Sequence, residues 1–493
     1  MSVVQVVVVG ISFVVLYRFV RDSVGAAEFG VWALVLTTTS VAGLANLGFS
    51  SGTVKFVAQY LAAGDHEHVS VLIQTAVLTV AAAVGVVVVF GYPLARALLG
   101  FLIEPASYVP IAIEILPYAL ASFWMTAVAG VVQSSLDGHH RVFLRNLLLI
   151  GSSIAYLVLA FVLVPRGGLI GLALAQVLQA AALLLVGWLT LRRVSGHLPL
   201  VPFIWRRGAF REMLGFALNI QVISISQILF VPVTKALVSK FGGVAAVASF
   251  EFAQRMVIQL RALLATAHEA LVPAISDLNV REPDRLRGVY VKSFRLLLYI
   301  LIPSLPLLIA LTPLVSRLWI GSLDPDFVLF ADLLFAGWFL NLLANPAYFA
   351  NVGTGDLRWN VLGHLIIGAA SASLGLLLGL QFGAAGVVAA AAAGLLLGSY
   401  AIAHEYQRRL AIGVTDILDS STWLLAAAAA AGILVLLLGS GAFGGARQTG
   451  LGLMLAAFLY AALVAIPLWR HPMRREIVGW LASARTAGGV KAP

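Results

Sequence analysis

Cysteine is absent from all 493 residues, which excludes a disulfide framework and any thiolate metal or redox centre. Charge is scarce too, at 11% of residues, and lysine is the rarest cation, with 5 against 26 arginines. The phosphate-loop pattern GxxxxGK[ST] occurs nowhere, and the turn Gly353-Thr354-Gly355-Asp356 has no lysine to complete one, so nucleotide hydrolysis is not expected. The neighbouring His139 and His140 lack a third ligand nearby, and no metal site or cofactor is expected. What is abundant is apolar. With 61% hydrophobic residues and a mean hydropathy of +1.01, the chain reads as an all-α polytopic membrane protein with no soluble domain left over. The net charge of +10 would suggest nucleic acid in a soluble chain. Here it reads as basic loops facing the cytoplasm and anionic membrane lipid, with no nucleic-acid partner.

A hydropathy window of about 19 residues finds 14 candidate spans. They start near Val3, Phe29, Val71, Ile111, Phe143, Leu169, Met213, Val244, Val289, Phe327, Trp359, Ala384, Thr422 and Leu451. The first is not read as a cleaved signal peptide, because Arg18 and Arg21 follow its apolar run and no basic region precedes it. An even number of spans puts both termini on one side. Placing them inside gives 21 Lys and Arg to inner loops and tail and 8 to outer ends, so a cytoplasmic N-terminus in the inner (plasma) membrane is expected. The two remaining cations, Arg255 and Arg261, fall inside a span.

That span holds the most informative stretch, Glu251 to Val272. On a wheel of about 100° per residue, Glu251, Gln254, Arg255, Arg261, His268 and Glu269 share a sector of roughly 140°. A charge at the bilayer centre costs at least about 2.5 kcal/mol, so the stripe should face a watery cavity or a partner. Glu251 and Arg255, four apart, could instead neutralise each other. Arg261 has no acid at that spacing and is the better anion ligand. Asn219, Ser226, Gln227 and Thr234 form one polar stripe, and Asn341, Asn345 and Tyr348 another, for which interhelical hydrogen bonds are the competing reading. His268 is more simply a packing residue than a proton relay.

An internal repeat appears at an offset near 215. Gly138 matches Gly353, Asn146 matches Asn360, and Gly168-Leu-Ile-Gly171 matches Gly383-Ala-Ala-Gly386. Stretched to 217, the offset lays Gly25 on Gly242 and Arg18 on Lys235. Two parallel, pseudo-symmetric six-helix lobes are expected, residues 1–195 and 196–411, followed by two C-terminal helices and a basic tail in 412–493.

Four segments carry a family resemblance. They are Phe29-Gly30-Val31-Trp32-Ala33-Leu34; Asn46-Leu47-Gly48-Phe49-Ser50-Ser51-Gly52 with Val57-Ala58-Gln59-Tyr60 and Gly64-Asp65; Lys240-Phe241-Gly242-Gly243-Val244; and Val272-Pro273-Ala274-Ile275-Ser276. In order and spacing the chain resembles the polysaccharide and lipid-linked oligosaccharide flippases, of the O-antigen translocase type, in the multidrug/oligosaccharidyl-lipid/polysaccharide exporter superfamily. Only Met1 and Ser2 precede the first span, where relatives often have a longer basic segment. The resemblance implies two lobes around a cationic cavity that alternates between the membrane faces. Its cargo would be a polyprenyl-diphosphate-linked glycan, and its partners the glycan polymerase or chain-length proteins of the same pathway. By position it implies Arg18, Arg21, Lys55 and Arg255 as cavity cations. Arg18 and Arg21 could equally snorkel to the interface, and Lys55 could be an ordinary loop charge. Lys235, Glu251, Arg261, His268, Asn219, Asn341 and Asn345 complete the candidate set.

Three classes of function compete. A drug or cation antiporter of the same superfamily should carry an acid within the membrane part of its first lobe, whereas Asp22 and Glu28 sit in a loop and Glu114 near a helix end. A membrane glycan polymerase or ligase needs acid, base or nucleophile converging in a substantial loop, and the connections are mostly short. The expectation is therefore a flippase without an enzymatic step.

Overall fold

The computed structural model describes residues 2–40, 49–269, 282, 285–354, 356–439 and 450–477. The side chains of 215–229 and 262–269 are outside the described set. Helices account for every regular element among the described residues; besides three short ones of 3 to 5 residues they are α1 Ser2–Val24, α2 Ala26–Ser40, α3 Phe49–Ala62, α4 His66–Leu102, α5 Val109–Gly138, α6 Val142–Ser195, α7 Arg207–Glu269, α8 Arg285–Val315, α9 Pro325–Leu342, α10 Asn345–Thr354, α11 Arg358–Arg409, α12 Ser420–Gly439 and α13 Gly450–Arg470. Eight helical stretches among the described residues are long and apolar enough to cross a membrane, and α12 and α13 contribute shorter apolar ones. The chain is an all-helical, multi-pass membrane protein. In such a medium every backbone N–H and C=O must be met within the chain, which the helix does by itself.

Three helices are too long to be single crossings. At 1.5 Å per residue, α6 and α11, with 54 and 52 residues, would run to roughly 80 Å, against a hydrocarbon core of about 30 Å. Each is broken by one glycine in a conformation that a side chain disfavours: Gly168 (φ 52°, ψ −131°) and Gly383 (φ 60°, ψ −146°). The chain then folds back on itself. Gly171 sits against the Leu163 carbonyl and Gly386 against the Leu378 carbonyl, too close for any Cβ. All three pairs are 215 apart, so the repeat seen in the sequence is a repeat of backbone geometry. In α7 the break is Gly243 (φ 75°), and between α1 and α2 it is Gly25 (φ 89°). Each of the fourteen expected starts falls within a few residues of a helix start or of one of the turns at 168, 243 and 383.

The turn glycines correct one register. The left-handed partner of Gly25 is Gly243 rather than Gly242, an offset of 218. That places Tyr17, not Arg18, in correspondence with Lys235.

By contacts the chain forms two compact units, Met1–Phe252 with Ser371–Ala390, and Ala253–Ala370 with Ala391–Pro493. The first has a core of Phe49, Val57, Leu72, Ile73, Val132 and Met213, drawn from α3, α4, α5 and the start of α7. In it two of the motifs that carry the family resemblance meet: Gly30 lies against the Val244 carbonyl, again with no space for a Cβ. Lys240 reaches Glu104 at 2.8 Å, and the Val244 amide donates to the Glu104 carbonyl at 3.0 Å. In the second unit, α8 packs on α10 and α11 through Tyr290, Phe294, Ala347 and Tyr406. On α12 and α13 the matching cluster contains Leu425, Tyr460 and Val464, and the Tyr460 hydroxyl donates to the Pro303 carbonyl at 2.8 Å.

Candidate functional site

Within the first unit, a buried polar network forms at the α7 turn. Lys235 lies two helical turns before Gly243 and Glu251 two turns after it. In a straight helix these residues would be about 24 Å apart. The turn instead brings them into an ion pair with side chains 7% and 9% exposed. The Lys235 ammonium also donates to Thr37 Oγ1 at 2.8 Å. Thr37 can accept because its own proton goes to the Ala33 carbonyl, at 2.8 Å. On the other side the Tyr17 hydroxyl donates to Glu251 Oε1 at 2.7 Å. Both charges therefore hold a countercharge and a neutral hydrogen-bond partner, as two ions in a low-dielectric interior require.

Aromatic rings wall the network off from water. Tyr17 packs edge-on against Phe13, Phe29, Trp32 and Phe252, with centroids 5.1 to 5.9 Å away. Arg21 is placed with its guanidinium 5.8 Å from the Phe252 ring, so it borders this site. Arg18 is exposed and reaches Asp22, 3.7 Å away on the next turn of its own helix. Lys55 is exposed on α3 and lies over Phe56 at 5.1 Å.

Further along α7, in the second unit, Arg255 and Arg261 are half-buried. Arg261 lies 4.5 Å from the centroid of Trp338 on α9, a geometry that favours a desolvated guanidinium. Asn341 donates to Ser399 Oγ at 2.7 Å, tying α9 to α11. This is the interhelical bond that competed with a binding role. Asn345 is buried at the start of α10. The polar stripe on α7 retains Thr234, which donates to the Phe230 carbonyl. The side chains of Asn219, Ser226, Gln227 and His268 lie outside the described residues, as do the motif segments 41–48 and 270–281.

Of the expected set, the structure thus joins Lys235 to Glu251 and brings Arg21 to their edge. Tyr17 and Thr37 were not expected. A signal for each existed: Tyr17 is the repeat partner of Lys235 once the turn glycines are aligned, and Thr37 opens the hydroxyl run Thr37-Thr38-Thr39-Ser40 inside an apolar span. A third is Asp332, a carboxylate inside α9 that accepts from Thr312 Oγ1 at 2.8 Å. Among the described residues no group of three His, Asp or Glu could hold a metal ion. Chemically, the arrangement holds a pair of opposite charges and their two hydroxyl partners in a buried interior.

Fold and site together define an all-helical, multi-pass membrane protein built from repeated helical hairpins. The chain belongs to the family described as "Polysaccharide biosynthesis protein", which it matches over residues 1–279. Among solved structures it is similar to the lipid II flippase MurJ in an inward closed conformation, at 14% identity and a TM-score of 0.72, covering 97% of this chain and 98% of that one. It is also similar to an inward-facing multidrug resistance MATE family transporter of the MOP superfamily, at 18% identity and a TM-score of 0.70, covering 83% of this chain and 94% of that one. A MOP superfamily transporter from Pyrococcus furiosus, noted for the reverse polarity of its binding pocket, matches at 16% identity and a TM-score of 0.58, covering 83% and 95%. Among curated protein sequences none matches significantly.

Proposed function

We propose that this protein is a flippase that moves a polyprenyl-diphosphate-linked oligosaccharide from the inner to the outer leaflet for cell-surface polysaccharide assembly, without an enzymatic step. The observation that carries this reading is the pair of guanidinium groups, Arg255 and Arg261, that α7 carries beyond its turn. Between Gly243 and Arg261 there are three charges, Glu251, Arg255 and Arg261. The negative one is bonded to Lys235, and the two arginines are half-buried within an apolar span. Guanidinium groups inside a membrane span are costly and mark functional positions, and their planar forks suit a diphosphate.

The extent of the flippase likeness supports the same reading. Coverage of 97% of 493 residues leaves about 15 unmatched, fewer than either α12 or α13 contains, at 20 and 21. The MATE likeness, at 83%, leaves about 84. The proposal includes fourteen crossings, lobes divided near residue 195 and cytoplasmic termini. It takes Arg21, Arg255 and Arg261 as anion ligands, and the polymerase of the same pathway as a partner. A second reading, a cation- or proton-coupled antiporter, has one observation in its favour, the Asp332 carboxylate inside α9, which lies in the second lobe and not in the first, where such an acid is expected. The two readings separate on one experiment. In a deletion strain the lipid-linked glycan should be fully built, accumulate, and have a head group inaccessible to a membrane-impermeant reagent. A truncated intermediate would point to a role in assembly, and an unchanged glycolipid pool with lost drug export would favour the antiporter.

A further inference from the structure

The connection between α6 and α7 is pinned rather than loose. Pro199 and Pro202 keep Leu198 to Trp205 out of a helix, and the amides left over are met by side chains of α4. Gln74, 1% exposed, accepts from the Phe203 and Ile204 amides at 3.1 and 3.2 Å. Thr75, fully buried, accepts from the Arg206 amide at 3.2 Å. Trp205 Nε1 donates to Thr79 Oγ1 at 3.0 Å. Thus held, the strap buries Leu198 and turns two aromatic side chains outward: Phe203 is 72% and Trp205 50% exposed. Arg206 and Arg207 follow directly, both exposed, and among the described residues no carboxylate pairs with either.

Thr79 also begins a stripe. Thr79, Ala82, Gly85, Val89 and Tyr92 recur every three or four residues on one face of α4. From Ala82 to Tyr92 this face lines an apolar groove of about 720 Å³, closed on the far side by Pro117, Ala121 and Trp124 of α5. Small side chains make it: a Cβ at Gly85 would stand 3.3 Å from Trp124 Nε1. The stripe is about 20 Å long, close to the roughly 15 Å of hydrocarbon in one leaflet. α4 itself, with 37 residues, is far longer than the core, so its polar end beneath Thr79 belongs at headgroup level.

We infer that this face is a binding site for an anionic diacyl phospholipid, its phosphate on Arg206 and Arg207 beside Trp205 and one acyl chain in the α4–α5 groove. Charge complementarity selects the headgroup, an interfacial tryptophan marks its level, and the length of the groove fits one acyl chain rather than a longer polyprenol. The site is independent of the proposed transport reaction.

The test is native mass spectrometry of the full chain with phosphatidylglycerol and phosphatidylethanolamine of identical acyl chains. Phosphatidylglycerol should be retained preferentially. Arg206→Gln/Arg207→Gln should weaken its retention about 30-fold, to the level of phosphatidylethanolamine, two surface arginines contributing about five- to sixfold each. Ala82→Phe, which fills the groove at an exposed position, should weaken both lipids and leave the headgroup preference intact. Equal retention of the two lipids by wild type overturns the inference, as does unchanged retention by the double arginine variant with wild-type thermal unfolding. Displacement of phosphatidylglycerol by undecaprenyl phosphate from wild type but not from Ala82→Phe would assign the groove to the polyprenyl lipid, and this inference would be wrong.

Discussion

Replacing Lys235 by methionine leaves Glu251 with the Tyr17 hydroxyl but without its countercharge, at a site where the carboxylate side chain is 9% exposed. Breaking a buried pair from one side costs about 3–5 kcal/mol, whereas neutralising both partners is far milder. Lys235→Met and Glu251→Gln should therefore each destabilise strongly. The double variant should recover much of the loss, with a coupling of about 1–3 kcal/mol in denaturant unfolding of the purified protein. Additive losses would mean that the two side chains do not act as a pair. Arg255 and Arg261 answer a different question. On the proposed function, reversal of either to Glu should abolish export, because an acid facing the proposed diphosphate would add repulsion to lost pairing. Arg408→Glu, at an exposed position, should be nearly silent because salt screens it. Export assayed at matched protein levels decides this, and equal defects in all three would place the cargo elsewhere. None of these residues was hidden in the sequence, since a charge in an apolar run is conspicuous. What was hidden is which charges pair: Lys235 and Glu251 are 16 apart, and only the Gly243 turn makes them neighbours.

At the scale of helices, the two long hairpins make a symmetric prediction. Gly168 and Gly383 share a backbone conformation that a Cβ strains, at about 1–3 kcal/mol each. Gly168→Ala and Gly383→Ala should lower thermal stability by similar amounts. Gly151, inside the first arm of α6 with nothing within 4 Å of where a Cβ would stand, should tolerate alanine or gain up to about 1 kcal/mol. A neutral Gly168→Ala would mean that the fold-back does not depend on that conformation. Helix starts were legible because hydropathy rises and falls sharply at membrane boundaries, and the repeat was legible because both hairpins turn on glycine. The register of the first hairpin was not, because Gly242 and Gly243 are adjacent and composition does not say which takes the positive φ. Tyr17 was missed for the same reason, and because a tyrosine in an aromatic-rich span gives no periodic signal.

For the whole molecule, the distribution of arginine makes the most exposed claim. With fourteen crossings, 21 Lys and Arg fall on the side of the termini and 8 on the other, and cationic segments near membrane helices are retained in the cytoplasm. The strap between α6 and α7 adds structural weight to that assignment, since it holds Arg206, Arg207 and the exposed Trp205 on one unit through Gln74, Thr75 and Thr79. A basic, tryptophan-bearing strap held at this level suits the leaflet whose surface is anionic. Reporter truncation fusions after Gly196, an exposed position with φ 69° that ends α6, and after Lys491 should both give a cytoplasmic signal. A fusion after Gly168, at the turn within α6, should give the opposite signal, because one crossing separates it from Gly196. Like signals at Gly168 and Gly196 would mean that the second half of α6 does not cross. Opposite signals at Gly196 and Lys491 would make the number of crossings between them odd, and the parallel two-lobe arrangement would fall with it.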